Sequence, residues 1–151
     1  MSTSTRTDRL ATLLDLSRAA AIVARRVEGP ISGHGLSLTD VMILLALRSA
    51  DGGRLRRVDL AGRLGMSQSS VTRLILPLEK LGIVTRHSDP RDRRAAWAEL
   101  TPAGRRMADE VEVTARDAAD DAMRGWPEAE VAALAGGLTR LCAGAPSLLP
   151  R

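Results

Sequence analysis

The chain has 151 residues, which suits one domain, or one lobe plus helices that complete their core in a dimer. Its 44% apolar content includes two Trp and no Phe or Tyr, so the core must be built from Ala, Leu, Val, Ile and Met, which favours helices and removes the stacking platforms of single-strand and RNA binders. The net charge of +4 is unevenly spread: residues 54–106 carry +7, residues 107–151 carry −4 and residues 1–53 carry +1, which points to a polyanionic partner for the centre of the chain.

Residues Met1 to Asp8 are polar. Leu10, Leu13, Leu14, Leu16, Ala20, Ala21, Val23 and Val27 mark a first helix that should end before Gly29-Pro30. Their spread over a broad face implies burial on more than one side. Gly29 to Leu38 reads as a glycine-rich loop containing His34. Thr39 should cap a second helix, Asp40 to Ala50, apolar enough to be central. Asp51-Gly52-Gly53 is a turn, with a short strand expected near Arg54–Arg56.

Arg57 to Leu76 reads as a helix-turn-helix. Leu60, Leu64, Met66, Val71 and Leu74 supply the packed apolar set, and Ala61 is the small residue at the crossing. Gly65 falls where the first helix needs a left-handed residue, and Ser67 is a good N-cap for the second. Gln68, Ser69, Thr72 and Arg73 point away from the apolar set. All can hydrogen-bond to base edges or phosphates, and none is acidic. Pro77 should kink this helix without ending it, since Leu78 and Leu81 continue the pattern to Gly82.

Ile83 to Ser88 alternates apolar and polar residues like a half-buried strand, and Ala95 to Leu100 can return beside it. The connection, Asp89 to Arg94, is turn chemistry loaded with Arg91, Arg93 and Arg94. Such a tip beside a recognition helix suits the narrow, negative minor groove. Thr101-Pro102 is an N-cap followed by proline at the first helical position. A long helix should run to about Arg124, where Gly125-Trp126-Pro127 breaks it, and Glu128 to Cys142 forms the last helix. The expected fold is mainly α with a small β-hairpin wing: a winged helix-turn-helix over residues 38–106, with residues 1–37 and 107–151 forming a helical dimerisation region. Three amphipathic terminal helices exceed what so small a lobe can cover, and pairing as a homodimer solves this. The seam should use Leu10, Leu13 and Leu14 with Val131, Leu134, Leu138 and Leu141.

The run LAGRLGMSQSSVTRLILPLEKLGIVTR, then DPRDRR, then LTPAGRR, resembles the MarR family (multiple-antibiotic-resistance regulators), winged-helix transcription factors that act as dimers. The match covers roughly Leu38 to Arg106. The Asp-x-Arg wing signature is met by Asp92 and Arg94, and the L-T-x-x-G after the second strand by Leu100, Thr101 and Gly104. The resemblance implies that Arg94 reaches the minor groove while Asp92 orients the wing arginines. It also implies that the N-terminal half of the second helix enters the major groove, placing Ser67, Gln68, Ser69, Ser70, Thr72 and Arg73 at the DNA. Repression relieved by a small aromatic or phenolic ligand is common in that family, and a small hydrophobic or phenolic effector is the expectation for this chain. A crevice between lobe and dimer helices, with Met42, Leu45 and His34 on its wall, is where such an effector would bind.

The function expected is a sequence-specific double-stranded DNA-binding regulator, a dimeric repressor acting on a near-palindromic operator. A non-specific architectural DNA binder is the alternative. A redox-sensing regulator using Cys142 is a further one, against which a buried packing cysteine is the plainer reading. No metal-ligand spacing, P-loop, nucleotide fingerprint or nucleophile motif occurs, so neither enzyme, cofactor nor metal is expected. One cysteine excludes an intramolecular disulfide. No apolar run approaches the roughly 20 residues of a membrane span, so no membrane partner is expected and the location should be cytoplasmic.

Overall fold

The computed structural model describes residues 8–88, 96–142, 145 and 148. Six α-helices and three strands follow in the order α1 (Arg9–Ile31), α2 (Leu38–Arg48), β1 (Arg54–Arg56), α3 (Arg57–Leu64), α4 (Gln68–Lys80), β2 (Val84–Ser88), β3 (Ala96–Leu100), α5 (Pro102–Ala122) and α6 (Glu128–Leu141). The strands form an antiparallel sheet in the order β1-β3-β2, with Leu55 opposite Ala98 and Val84 opposite Leu100. These four residues are buried, so one face of the sheet closes the core and the other carries Arg54, Trp97, Glu99 and His87. On that outer face the Arg54 guanidinium lies 5.2 Å from the Trp97 ring centroid, a cation–π contact.

Helix α2 is the centre. Ile43, Leu44, Ala46 and Leu47 are fully buried, and α2 packs on α1, α3, α5 and β3. The helix begins earlier than Thr39 predicts. Ser37 is its cap: its hydroxyl accepts from the Asp40 N–H while the Asp40 carboxylate accepts from the Ser37 N–H. This reciprocal box satisfies two otherwise orphaned donors, which a lone Thr39 cap cannot do.

Helix α1 also departs from expectation, continuing through Gly29-Pro30 to Ile31. Proline in a helix crowds the Cβ of the residue before it, and Gly29 has none. The gain is burial: Ile31 is completely enclosed, and Val27 one turn earlier is buried. The predicted long loop therefore shrinks to a 3₁₀ turn, Ser32–His34, and Gly35 with φ of +71°. Helix α4 likewise runs unbroken through Pro77. Pro77 and Arg73 are both exposed, so the Arg73 carbonyl that loses its partner can be hydrated. Cys142, expected to pack, is exposed, because α6 buries none of its residues in the single chain.

The junction of hairpin and α5 is the tightest point. The Thr101 N–H donates to the Ile83 carbonyl at 3.1 Å. The Thr101 hydroxyl donates to the Gly82 carbonyl at 2.6 Å and accepts from the Gly104 N–H at 3.0 Å. A Cβ on Gly104 would lie 2.0 Å from the Ile83 carbonyl oxygen, and neither backbone can yield without breaking the Thr101 bonds. Gly104→Ala is therefore expected to destabilise the protein by about 1–3 kcal/mol or more in denaturant titration, as overpacking does. Gly62→Ala, in a helix where nothing lies within 4 Å of the added carbon, should stabilise by roughly 0.5–1 kcal/mol.

Candidate nucleic-acid interface

Helix α4 is amphipathic in a simple way. Val71, Ile75 and Leu78, spaced at one and two turns, are buried against the core, while Gln68, Ser69 and Arg73 are exposed. Its start is set by the chain just before it. Gly65 adopts φ of +64°, the left-handed conformation that ends α3 without a Cβ penalty. The Met66 N–H returns to the Ala61 carbonyl at 3.0 Å, and Ser67 then caps α4 by accepting from the Ser70 N–H at 3.2 Å.

Three hydroxyls gather at this cap. Ser67 Oγ lies 3.0 Å from Ser69 Oγ and 2.9 Å from Ser70 Oγ. Arg73 Nη2 reaches back to Ser70 Oγ at 3.4 Å. The positive end of the helix dipole, unpaired first-turn amides, hydroxyls and a guanidinium thus share one surface, which is what a phosphate or other anion requires. Beside it is a cleft of about 420 Å³ lined by Thr39, Met66, Ser67, Ser70, Arg73 and Leu74. Thr39, expected to be a helix cap, instead faces this surface from α2.

Thr72 is more constrained than its neighbours. Its hydroxyl donates to the Gln68 carbonyl at 2.9 Å and accepts from Arg57 Nη1 at 2.8 Å. Arg57 is not among the contact residues that the sequence pattern indicates. Its position fifteen residues before Thr72 gave no periodic signal, and only the crossing of α3 on α4 brings them together.

Other arginines of the lobe are tied to structure. Arg63 donates to Ser49 Oγ at 3.2 Å, and Arg105 to the Gly52 carbonyl at 2.7 Å. Arg86 on β2 pairs with Glu79 on α4 at 2.7 Å, and His87 lies 3.3 Å from Glu99 across the hairpin. Arg56 bonds to Asp59, and that hydrogen bond, followed by their charge attraction, raises the arginine pKa above its ordinary value. The wing tip, with Arg91, Asp92, Arg93 and Arg94, lies outside the described residues; its two supporting strands lie within them.

The expected effector residues are separated in role. His34 Nε2 lies 2.8 Å from Thr114 Oγ1 on α5. Leu45 is buried in the core, and Met42 is partly buried against it. A cleft of about 650 Å³ opens between α1 and α5, lined by Arg26, Pro30, Thr114, Asp117, Ala118, Asp121 and Ala122. Thr114 links it to His34, whereas Met42 and Leu45 are not on its wall.

The cap geometry makes a prediction. Ser67→Ala removes the only side-chain acceptor for the α4 first turn and should cost about 1 kcal/mol in chemical denaturation. Ser69→Ala, which removes only a hydroxyl contact at the exposed end of the cluster, should stay within about 0.5 kcal/mol of wild type.

The MarR family sequence model matches residues 34–95. The chain is 31% identical over 78 residues to an uncharacterised HTH-type transcriptional regulator, YkoM, of Bacillus subtilis, covering 52% of this chain and 49% of the relative. It is 31% identical over 81 residues to the transcriptional repressor MprA of Escherichia coli, covering 54% of this chain and 46% of the relative. The chain thus spans about half the length of the curated relatives it matches. A solved structure of Bordetella bronchiseptica BpsR, described under the mechanism for regulation of its DNA binding by 6-hydroxynicotinic acid, superposes with a TM-score of 0.76 at 26% identity, covering 89% of this chain and 98% of that one. The helix-turn-helix sequence, the three-stranded winged fold and these likenesses agree: over residues 34–95 the chain is similar to the MarR family of winged-helix regulators.

Proposed function

We propose that this protein is a transcriptional repressor that binds a near-palindromic operator in double-stranded DNA as a homodimer and is released by a small ligand. The observation that carries the reading is α4. Its exposed N-terminal face offers Ser67, Gln68, Ser69, Ser70, Thr72 and Arg73, with no carboxylate, on a capped helix end within the basic part of the chain. That end enters the major groove, and Arg91, Arg93 and Arg94 reach the backbone and minor groove, oriented by Asp92. MprA, named a transcriptional repressor, and BpsR, whose DNA binding a hydroxy-aromatic acid regulates, support the repressor and the ligand.

The homodimer is supported by apolar surface. Leu10, Leu13, Leu14, Ile22 and Val23 of α1 and Leu134, Leu138 and Leu141 of α6 are exposed in the single chain. A second copy would cover them and set the two α4 helices one DNA turn apart, about 34–36 Å. The effector site is supported by the cleft between α1 and α5 beside the His34–Thr114 contact. A hydrophobic or phenolic acid could meet Arg26 there. It would lower DNA affinity only by favouring the arrangement in which the two α4 helices no longer match the groove spacing. Among the described residues no single helix is long and apolar enough to cross a membrane, and the proposed site of action is the cytoplasm.

Selection from random duplex DNA should yield an inverted repeat whose half-sites are one helical turn apart. Recovery of no common sequence, with a steep salt dependence, would instead indicate an architectural DNA binder. Arg94→Ala should weaken binding to the selected site by about 1–3 kcal/mol. Unchanged affinity and salt slope on replacing all three wing arginines would refute the role of the wing. Sedimentation should give a dimer for the full chain, and a stable monomer would refute the seam.

A further inference from the structure

Thr72 lies on the face of α4 proposed to meet DNA, and its hydroxyl is already engaged on both sides. Arg57 Nη1, at the start of α3, is 2.8 Å from Thr72 Oγ1, and Thr72 Oγ1 is 2.9 Å from the Gln68 carbonyl oxygen. The direction of these bonds is fixed by chemistry. A guanidinium can only donate and a carbonyl can only accept, so Thr72 accepts from Arg57 and donates to Gln68. A hydroxyl has one proton and two lone pairs. The proton and one lone pair are spent within the protein. What Thr72 retains for a base is one lone pair and its methyl group. Both Arg57 and Thr72 are half-buried, which weakens the competition of water for their bond.

We propose that Arg57 is a positioning residue that sets the base preference of α4. By holding the Thr72 hydroxyl as an acceptor, it makes Thr72 a reader of exocyclic amino groups or of the thymine methyl, and a poor match to the O6 and N7 acceptors of guanine. Without Arg57, the Thr72 side chain can leave this rotamer and donate. The inference rests on the DNA-binding reading above and adds a determinant that itself need touch no base.

The test is selection from random duplex DNA with full-length wild type, R57M, R57K, T72V and the double variant R57M/T72V, each also followed by thermal melting. R57M should admit guanine at one position of each half-site, with a change in preference of roughly two- to tenfold, the worth of one hydrogen bond. Other positions should not change. R57K, which can still only donate, should keep the wild-type profile. In the T72V background, R57M should make no further change. An R57M profile that superposes on wild type overturns the proposal, as does a change of equal size in the T72V background. A salt slope reduced by about one with an unaltered profile also overturns it, since Arg57 would then be a phosphate contact. If R57M melts before it can be assayed, an R57K profile that follows T72V instead of wild type overturns the proposal in its place. A wild type that binds DNA but selects no sequence overturns the reading on which this rests.

Discussion

Over Ile43–Leu47 helix α2 has no solvent face: all five residues are buried, enclosed by α1, α3, α5 and the edge of β3. A helix that is apolar on every side must be surrounded, and this requirement orders the rest of the chain. Each fully buried Ile or Leu contributes about 1.5–3 kcal/mol relative to exposure, so a short segment dominates the cohesion of the lobe. The same helix carries polar residues only at its ends. At one end the Ser37–Asp40 capping box defines where burial begins. At the other, Arg48 leaves the core and meets carboxylates of α5.

That second end matters for how the lobe and α5 are joined. Arg48 pairs with Asp109 at 2.7 Å and with Glu112, and Glu112 is shared with Arg116 at 2.5 Å. The Glu112 side chain is only 13% exposed and that of Arg48 27%, so this network is better shielded than the pairs Arg18–Asp15 and Arg124–Asp121 on open helix surfaces, which contribute little. A hydrogen-bonded, shared carboxylate gives the junction a defined geometry, which a purely apolar contact would not. On the other side of the lobe, Arg105 from α5 holds the turn before β1 through the Gly52 carbonyl. Helix α5 therefore grips both the core helix and the sheet, and displacement of α5 must be felt by both.

The surface divides according to the same logic. Between α2 and β3 the large apolar residues are mostly enclosed within the chain, with Val58, Leu76 and Leu81 exposed, and the exposed N-terminal end of α4 is polar. Leu10, Leu13 and Leu14 of α1 and Leu134, Leu138 and Leu141 of α6 are exposed, and α6 buries nothing. Exposed apolar stripes on two helices are costly in water, and a second copy would remove that cost. A covered α6 would also change the surroundings of Cys142, whose exposure is that of the chain taken alone.

By itself the sequence was enough for the elements whose causes are local. Ser67 as a cap, Gly65 as a left-handed terminator, α3 over Arg57–Leu64 and the Thr101-Pro102 start of α5 all follow from side chains acting within a few residues. The amphipathic period of α4 likewise separates Val71 from Gln68, Ser69 and Arg73 without knowledge of the partner helix. What tertiary structure decided was every case in which a distant group changes the local outcome. Burial of Ile31 draws α1 past Pro30, Arg57 engages the Thr72 hydroxyl, and the Ile83 carbonyl leaves no room for a Cβ at Gly104. The reason is common to all three: propensity and periodicity report a residue's effect on its own segment, whereas the free energy of enclosing a side chain, or of committing a hydroxyl's single proton, depends on atoms that arrive from elsewhere in the fold.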